Sequence, residues 1–85
     1  MSVIYKYNGN KIELSEEKGI KPGWQLIING VKQDSIIFNS AFIGNTLKGK
    51  IDSDNVTVTI NNKIIFYTSE LFINGRSIEK RKFLW

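Results

Sequence analysis

Apolar and polar residues alternate with a period of two along much of this chain. In NVTVTIN, Val56, Val58 and Ile60 fall on one side and Thr57 and Thr59 on the other, the pattern of a half-buried strand in an antiparallel sheet. WQLIIN sets Trp24, Leu26 and Ile28 against Gln25, Ile27 and Asn29, and TLKGKID sets Leu47, Gly49 and Ile51 against Lys48 and Lys50. KIIFYTSELFIN is long enough for one bent strand or two, with Ile65, Tyr67, Ser69, Leu71 and Ile73 on one face. About eight strands are expected, near 2–7, 10–15, 24–29, 31–38, 46–51, 55–60, 63–73 and 76–82. No segment sustains a helical period; SEEKG (Ser15 to Gly19) allows a single turn at most.

Turn chemistry joins these strands. KYNGNKIE, LIINGVKQD and LFINGRSIE each carry an Asn-Gly pair, at Asn8-Gly9, Asn29-Gly30 and Asn74-Gly75. A type I′ turn needs positive φ at both central residues, which Asn tolerates and Gly prefers, so each pair predicts a hairpin corner. A phosphate-cradling loop would instead lead from a glycine-rich stretch into a helix, and none of the three does. Ser53 to Asn55 and Asn61-Asn62 are further turn candidates. Segments 16–23 and 39–45 read as longer connections. The fold class predicted is therefore all-β: an antiparallel β-sandwich or coiled meander, one domain spanning residues 1–85.

Composition narrows the chemistry. The chain has no cysteine and no histidine, so disulfides, thiolate metal sites and the commonest general base are all excluded. Asp52 to Asn55 (DSDN) begins like a calcium loop but lacks the following glycine and distal glutamate, which leaves a polar turn as the reading. Neither Ser-x-x-Lys nor Gly-x-Ser-x-Gly is present. The expectation is a protein that is not an enzyme, with no metal and no cofactor. The start, MSVIYKYNGNK, lacks the basic and apolar regions of a signal peptide, and no apolar run is long enough to span a bilayer. A cytoplasmic location is expected.

Charge then points to a surface. The net charge is +4, and most of it lies at the C-terminus, where Arg76, Lys80, Arg81 and Lys82 are opposed only by Glu79. Phe83 and Trp85 follow, so this stretch is basic and aromatic together. Arg76, Lys80, Arg81, Lys82, Phe83 and Trp85 are accordingly the candidate partner-binding residues; the plainer reading of the same cations is a solvated strand edge. The favoured function is a small protein-interaction module acting through a sheet edge and this stretch. The alternative is a nucleic-acid-binding β-module using the same cations. A third class is a small-molecule barrel with a pocket near Trp24, Phe66 and Tyr67. Exposed strand edges also make a homodimer a candidate, and Trp85 either docks within the protomer or meets a partner.

The order NKIEL, WQLIING, FIG, VTVTI, YTSELFINGRSIEK resembles one domain of the Fas apoptotic inhibitory molecule family. There a Lys-Ile-Glu strand precedes a strand ending in Asp-Gly or Asn-Gly, and a closing Leu-x-Ile-Asn-Gly-Lys-Ser-Leu hairpin follows. Leu71, Ile73, Asn74, Gly75 and Ser77 match that hairpin, with Arg76 and Ile78 at its Lys and last Leu. The resemblance implies a two-sheet antiparallel sandwich acting through protein contacts, in roles such as restraint of cell death or protection against aggregation. It offers no catalytic residues to carry over. This chain has one such domain where the animal family has two, and it lacks that family's cysteine and histidine residues.

Overall fold

The computed structural model describes residues 2–17, 19–20, 22–37, 44–62 and 66–83. It holds eight strands: β1 (Ser2–Tyr7), β2 (Asn10–Glu17), β3 (Gly23–Ile28), β4 (Val31–Ile37), β5 (Gly44–Ile51), β6 (Asp54–Asn62), β7 (Tyr67–Ile73) and β8 (Arg76–Phe83). They form two four-stranded antiparallel sheets, β1-β2-β3-β4 and β5-β6-β7-β8, each a plain meander. The two sheets pack face to face, so the sandwich expected from the alternation is the fold observed.

Three expectations for the chain's connections are corrected. Asn61 and Asn62 do not turn; they extend β6 and pair with Thr68 and Tyr67. Ser15, Glu16 and Glu17 continue β2 opposite Gln25, Trp24 and Gly23, where a helical turn was allowed. The turn after β5 is Asp52-Ser53, with Asp52 at φ 53°. In each case continuation of a neighbouring ladder outweighs a local preference for turning. The strand expected over 63–73 is described from Tyr67 onward, and residues 38–43 and 63–65 lie outside the described residues.

All three Asn-Gly pairs are hairpin corners with positive φ at both residues, 48° and 79° at Asn8-Gly9, 51° and 83° at Asn29-Gly30, 53° and 81° at Asn74-Gly75. Two of the asparagines also bond across to the next hairpin. Asn29 Oδ1 accepts from the Lys11 N–H at 2.9 Å, the Asn29 N–H donates to the Lys11 carbonyl at 2.8 Å, and Asn29 Nδ2 donates to Asn10 Oδ1 at 3.0 Å. Asn74 repeats the arrangement on Asn55 and Asp54 at 2.9, 2.8 and 2.9 Å.

That repetition extends to the whole plan. The halves share strand order and corner positions, and even a β-bulge: one shift lies beside Leu26/Ile27, where Gln33 of β4 is extra, and another beside Leu71/Phe72, where Ile78 of β8 is extra. Side chains, however, are not duplicated. Tyr5 and Trp24 in the first sheet occupy the positions that Gly49 and Ser69 hold in the second. Two bulky residues thus meet two small ones, as close packing between facing layers requires. Tyr5, Ile12, Leu14, Trp24 and Leu26 from one sheet and Leu47, Val58, Ile60 and Leu71 from the other are fully buried.

Candidate functional site

The candidate residues lie on β8, the last edge of the second sheet, and alternation divides them. Cross-strand partners share a face. Lys80 pairs with Glu70 and Lys82 with Thr68, on the outer face of the sheet, whereas Arg81 pairs with Ser69 and Glu79 with Leu71, on the face toward the first sheet. Arg81 does not join a basic patch. Its guanidinium sits 5.4 Å from the centre of the Tyr5 ring and its Nε bonds Glu79, closing that side of the sandwich. Arg76 lies beside a cavity of about 220 Å³ with Tyr7, Ile73, Asn74 and Ile78. Phe83 pairs with Tyr67 at the end of β8, and Trp85 lies outside the described residues.

The outer face of the second sheet gathers cations that the C-terminal stretch alone did not reveal. Lys48 and Lys50 of β5 pair with Thr57 and Asn55, so they share this face with Lys80 and Lys82. Lysines therefore flank both long sides, three inter-strand steps or about 14 Å apart. Between them lie Thr57, Thr59, Asn61 and Phe72, and Glu70 is the one carboxylate there among the described residues. The Glu70 carboxylate accepts from Ser77 Oγ. Phe66 enters the same face: Lys82 Nζ lies 4.8 Å from its ring centre. Phe66 and Phe72 are both half-buried. An open cleft of about 680 Å³ runs past Lys48, Lys50, Asn55 and Thr57 to Gln33 of β4. The signal for Lys48 and Lys50 was in TLKGKID, whose alternation already set them opposite Leu47 and Ile51.

The first sheet's outer face is balanced instead. Lys32 Nζ meets Glu17 Oε2 at 3.1 Å and Lys11 Nζ approaches Glu13 Oε1 at 3.9 Å. Such exposed pairs contribute little to stability, but they neutralise that face.

Among the described residues no group of three or more Asp and Glu could hold a metal ion. Among the described residues two groups have displaced proton affinities: burial pushes the Tyr5 hydroxyl up, partly offset by its hydrogen bond to Ser69 and by Arg81, and burial with the nearby Glu16 charge pushes Tyr67 up. Trp24 and Tyr67, named in the barrel reading, are both buried and pack edge to face at 5.7 Å. No helix among the described residues is long and apolar enough to cross a membrane. Comparison with family models, curated proteins and solved structures found no match to this chain.

Proposed function

We propose that this chain is a non-enzymatic protein-interaction module that takes an acidic partner on the basic side of its second sheet, using the β8 edge. The observation that carries the reading is the lysine frame of Lys48, Lys50, Lys80 and Lys82 around a polar floor with one carboxylate. Like charges held in a rigid sheet recruit an opposite surface and steer its approach. A partner-binding role also agrees with the family resemblance, which remains a resemblance in hairpin motifs.

Phe66 and Phe72 favour a second reading. Aromatic rings among lysines on a sheet face are the chemistry of single-stranded nucleic-acid binding, in which bases stack and phosphates pair with cations. One experiment separates the two. The intact protein and its K80E/K82E variant are used to capture partners from the source organism's lysate, with and without nuclease. A protein retained through nuclease treatment and lost with the variant supports the module. Capture abolished by nuclease supports the nucleic-acid reading. Equal capture by both proteins overturns the assignment of this surface.

A further inference from the structure

Three of the four edge strands are protected against pairing with another chain. β4 and β8 each carry a bulge, which bends a strand and interrupts its ladder, and β8 adds Lys80 and Lys82. β5 is regular, but two of its outward donors are taken: Asp34 Oδ2 accepts from the Lys48 N–H at 2.9 Å, and Gln33 Oε1 from the Lys50 N–H at 3.4 Å. Among the described residues β1 has neither a bulge nor a side-chain cap, and it carries a single lysine, Lys6. Its register with β2 runs unbroken from Ser2 to Tyr7.

The duplication shows what is missing. Ile4 and Lys6 of β1 stand where Lys48 and Lys50 stand in β5, three residues and one residue before the last strand position. Their N–H groups point away from β2 as those of Lys48 and Lys50 point away from β6. The caps have changed. Gln33 is replaced by Ile78, which has no acceptor, and Asp34 by Glu79, whose carboxylate is held by Arg81. No side chain among the described residues bonds the Ile4 or Lys6 N–H.

We propose that the open edge of β1 takes an extended acidic segment of a partner protein as an added strand, laid along the seam between β1 and β8. This rests on the reading of the chain as a protein-interaction module. Strand addition supplies main-chain bonds, and side-chain pockets supply selectivity. Acidity follows from the surroundings: Lys6 is exposed on β1 and Arg76 lines a cavity with Tyr7 at one end of the seam, while Glu79, the carboxylate on the β8 side, is already held by Arg81. The β5 caps show the acceptors such donors take, a carboxylate and an amide carbonyl. A second copy fits worse, because pairing β1 with its twin brings two β8 cation rows together.

The probe is an acetylated eight-residue peptide alternating Glu with Val and Thr, labelled for fluorescence anisotropy, with amide exchange of the intact protein followed by NMR. Binding should slow exchange at Ile4 and Lys6 at least tenfold and leave Ser35 and Ile37 on the β4 edge unchanged. Lys6→Pro removes an outward donor without touching the β1–β2 ladder and should weaken binding about fivefold more than Lys6→Ala, the worth of one hydrogen bond. The Q33A/D34A variant uncovers the β5 donors and should raise the stoichiometry from one peptide to two. Peptide binding without protection at Ile4 and Lys6 overturns the proposal. So does protection of those amides that rises with protein concentration in the absence of peptide, which would mean a second copy holds the edge. Should Lys6→Pro fail to fold, the exchange pattern of the unaltered protein still decides. A protein partner captured from lysate through Lys80 and Lys82, with β1 amides unprotected, removes this inference alone; absence of any protein partner removes the module reading as well.

Discussion

The hydroxyl of Tyr5 donates to Ser69 Oγ at 2.8 Å in the buried centre of the sandwich, joining β1 of one sheet to β7 of the other. Both partners are almost fully buried, so neither can exchange this bond for water. Tyr5→Phe should destabilise the fold by about 1–3 kcal/mol, because Ser69 is left without its donor. Replacing both, as Y5F/S69A, should cost less than the sum of the single changes. Urea unfolding of the four proteins of this cycle measures the coupling.

Stability should depend on pH at the alkaline end. Burial raises the affinity of Tyr5 for its proton above the ordinary phenol value, and burial with the Glu16 charge does the same for Tyr67. The folded protein therefore holds these protons after the unfolded chain has begun to release them. Their contribution is complete below about pH 10 and is lost as the pH rises beyond it. Urea midpoints between pH 8 and 11.5 should fall above about pH 10, and the fall should be shallower in Tyr5→Phe and Tyr67→Phe. An equal slope in all three proteins would disprove this account.

The paired corners at Asn29 and Asn74 combine a left-handed backbone with bonds to the neighbouring hairpin. Asn29→Ala or Asn74→Ala should each cost about 2 kcal/mol, part from the backbone and part from the lost bonds. Asn→Gly at the same positions relieves only the backbone cost and should be milder. Asn8, whose φ is similarly positive but whose side chain makes no bond to another hairpin among the described residues, should lose about half as much on substitution by Ala. Thermal or urea unfolding ranks the variants.

Glycines 23 and 49 separate two kinds of crowding. A Cβ on Gly23 would run into the main-chain carbonyl of Ile36, which the β3–β4 ladder holds in place. A Cβ on Gly49 would meet Gln33 Cβ at 2.9 Å, on the bulge of an edge strand, and Ile28 Cδ1 at 3.1 Å, the free end of a side chain, a looser obstacle than that carbonyl. Gly23→Ala should therefore destabilise by about 3 kcal/mol and Gly49→Ala by about 1 kcal/mol. Gly49→Ala should also loosen Gln33 from the Lys50 N–H, seen as faster exchange of that amide.

Much of the candidate surface was legible in the local pattern. Lys80 and Lys82 in KRK, and Lys48 and Lys50 in TLKGKID, alternate with inward positions and reach solvent together. Arg81 is next to Lys80 and Lys82 in sequence but not in space; the period of two sends it to the opposite face, over Tyr5. Phe66 and Phe72 gave no distinguishing signal, since an aromatic on a strand reads the same whether its face is the core or the exterior.

The sequence by itself determined the strands, their inward faces and the three Asn-Gly corners, because each depends on residues within a few positions of one another. The packing of Tyr5 and Trp24 against Ser69 and Gly49 was decided only by the tertiary structure, since it sets the volume of one half against the other. The same holds for the edges. Whether β1 or β5 stays open depends on which side chain of a distant strand reaches its outward donors, Gln33 and Asp34 in one seam and Ile78 and Glu79 in the other. A strand's own residues do not encode what comes to lie beside it.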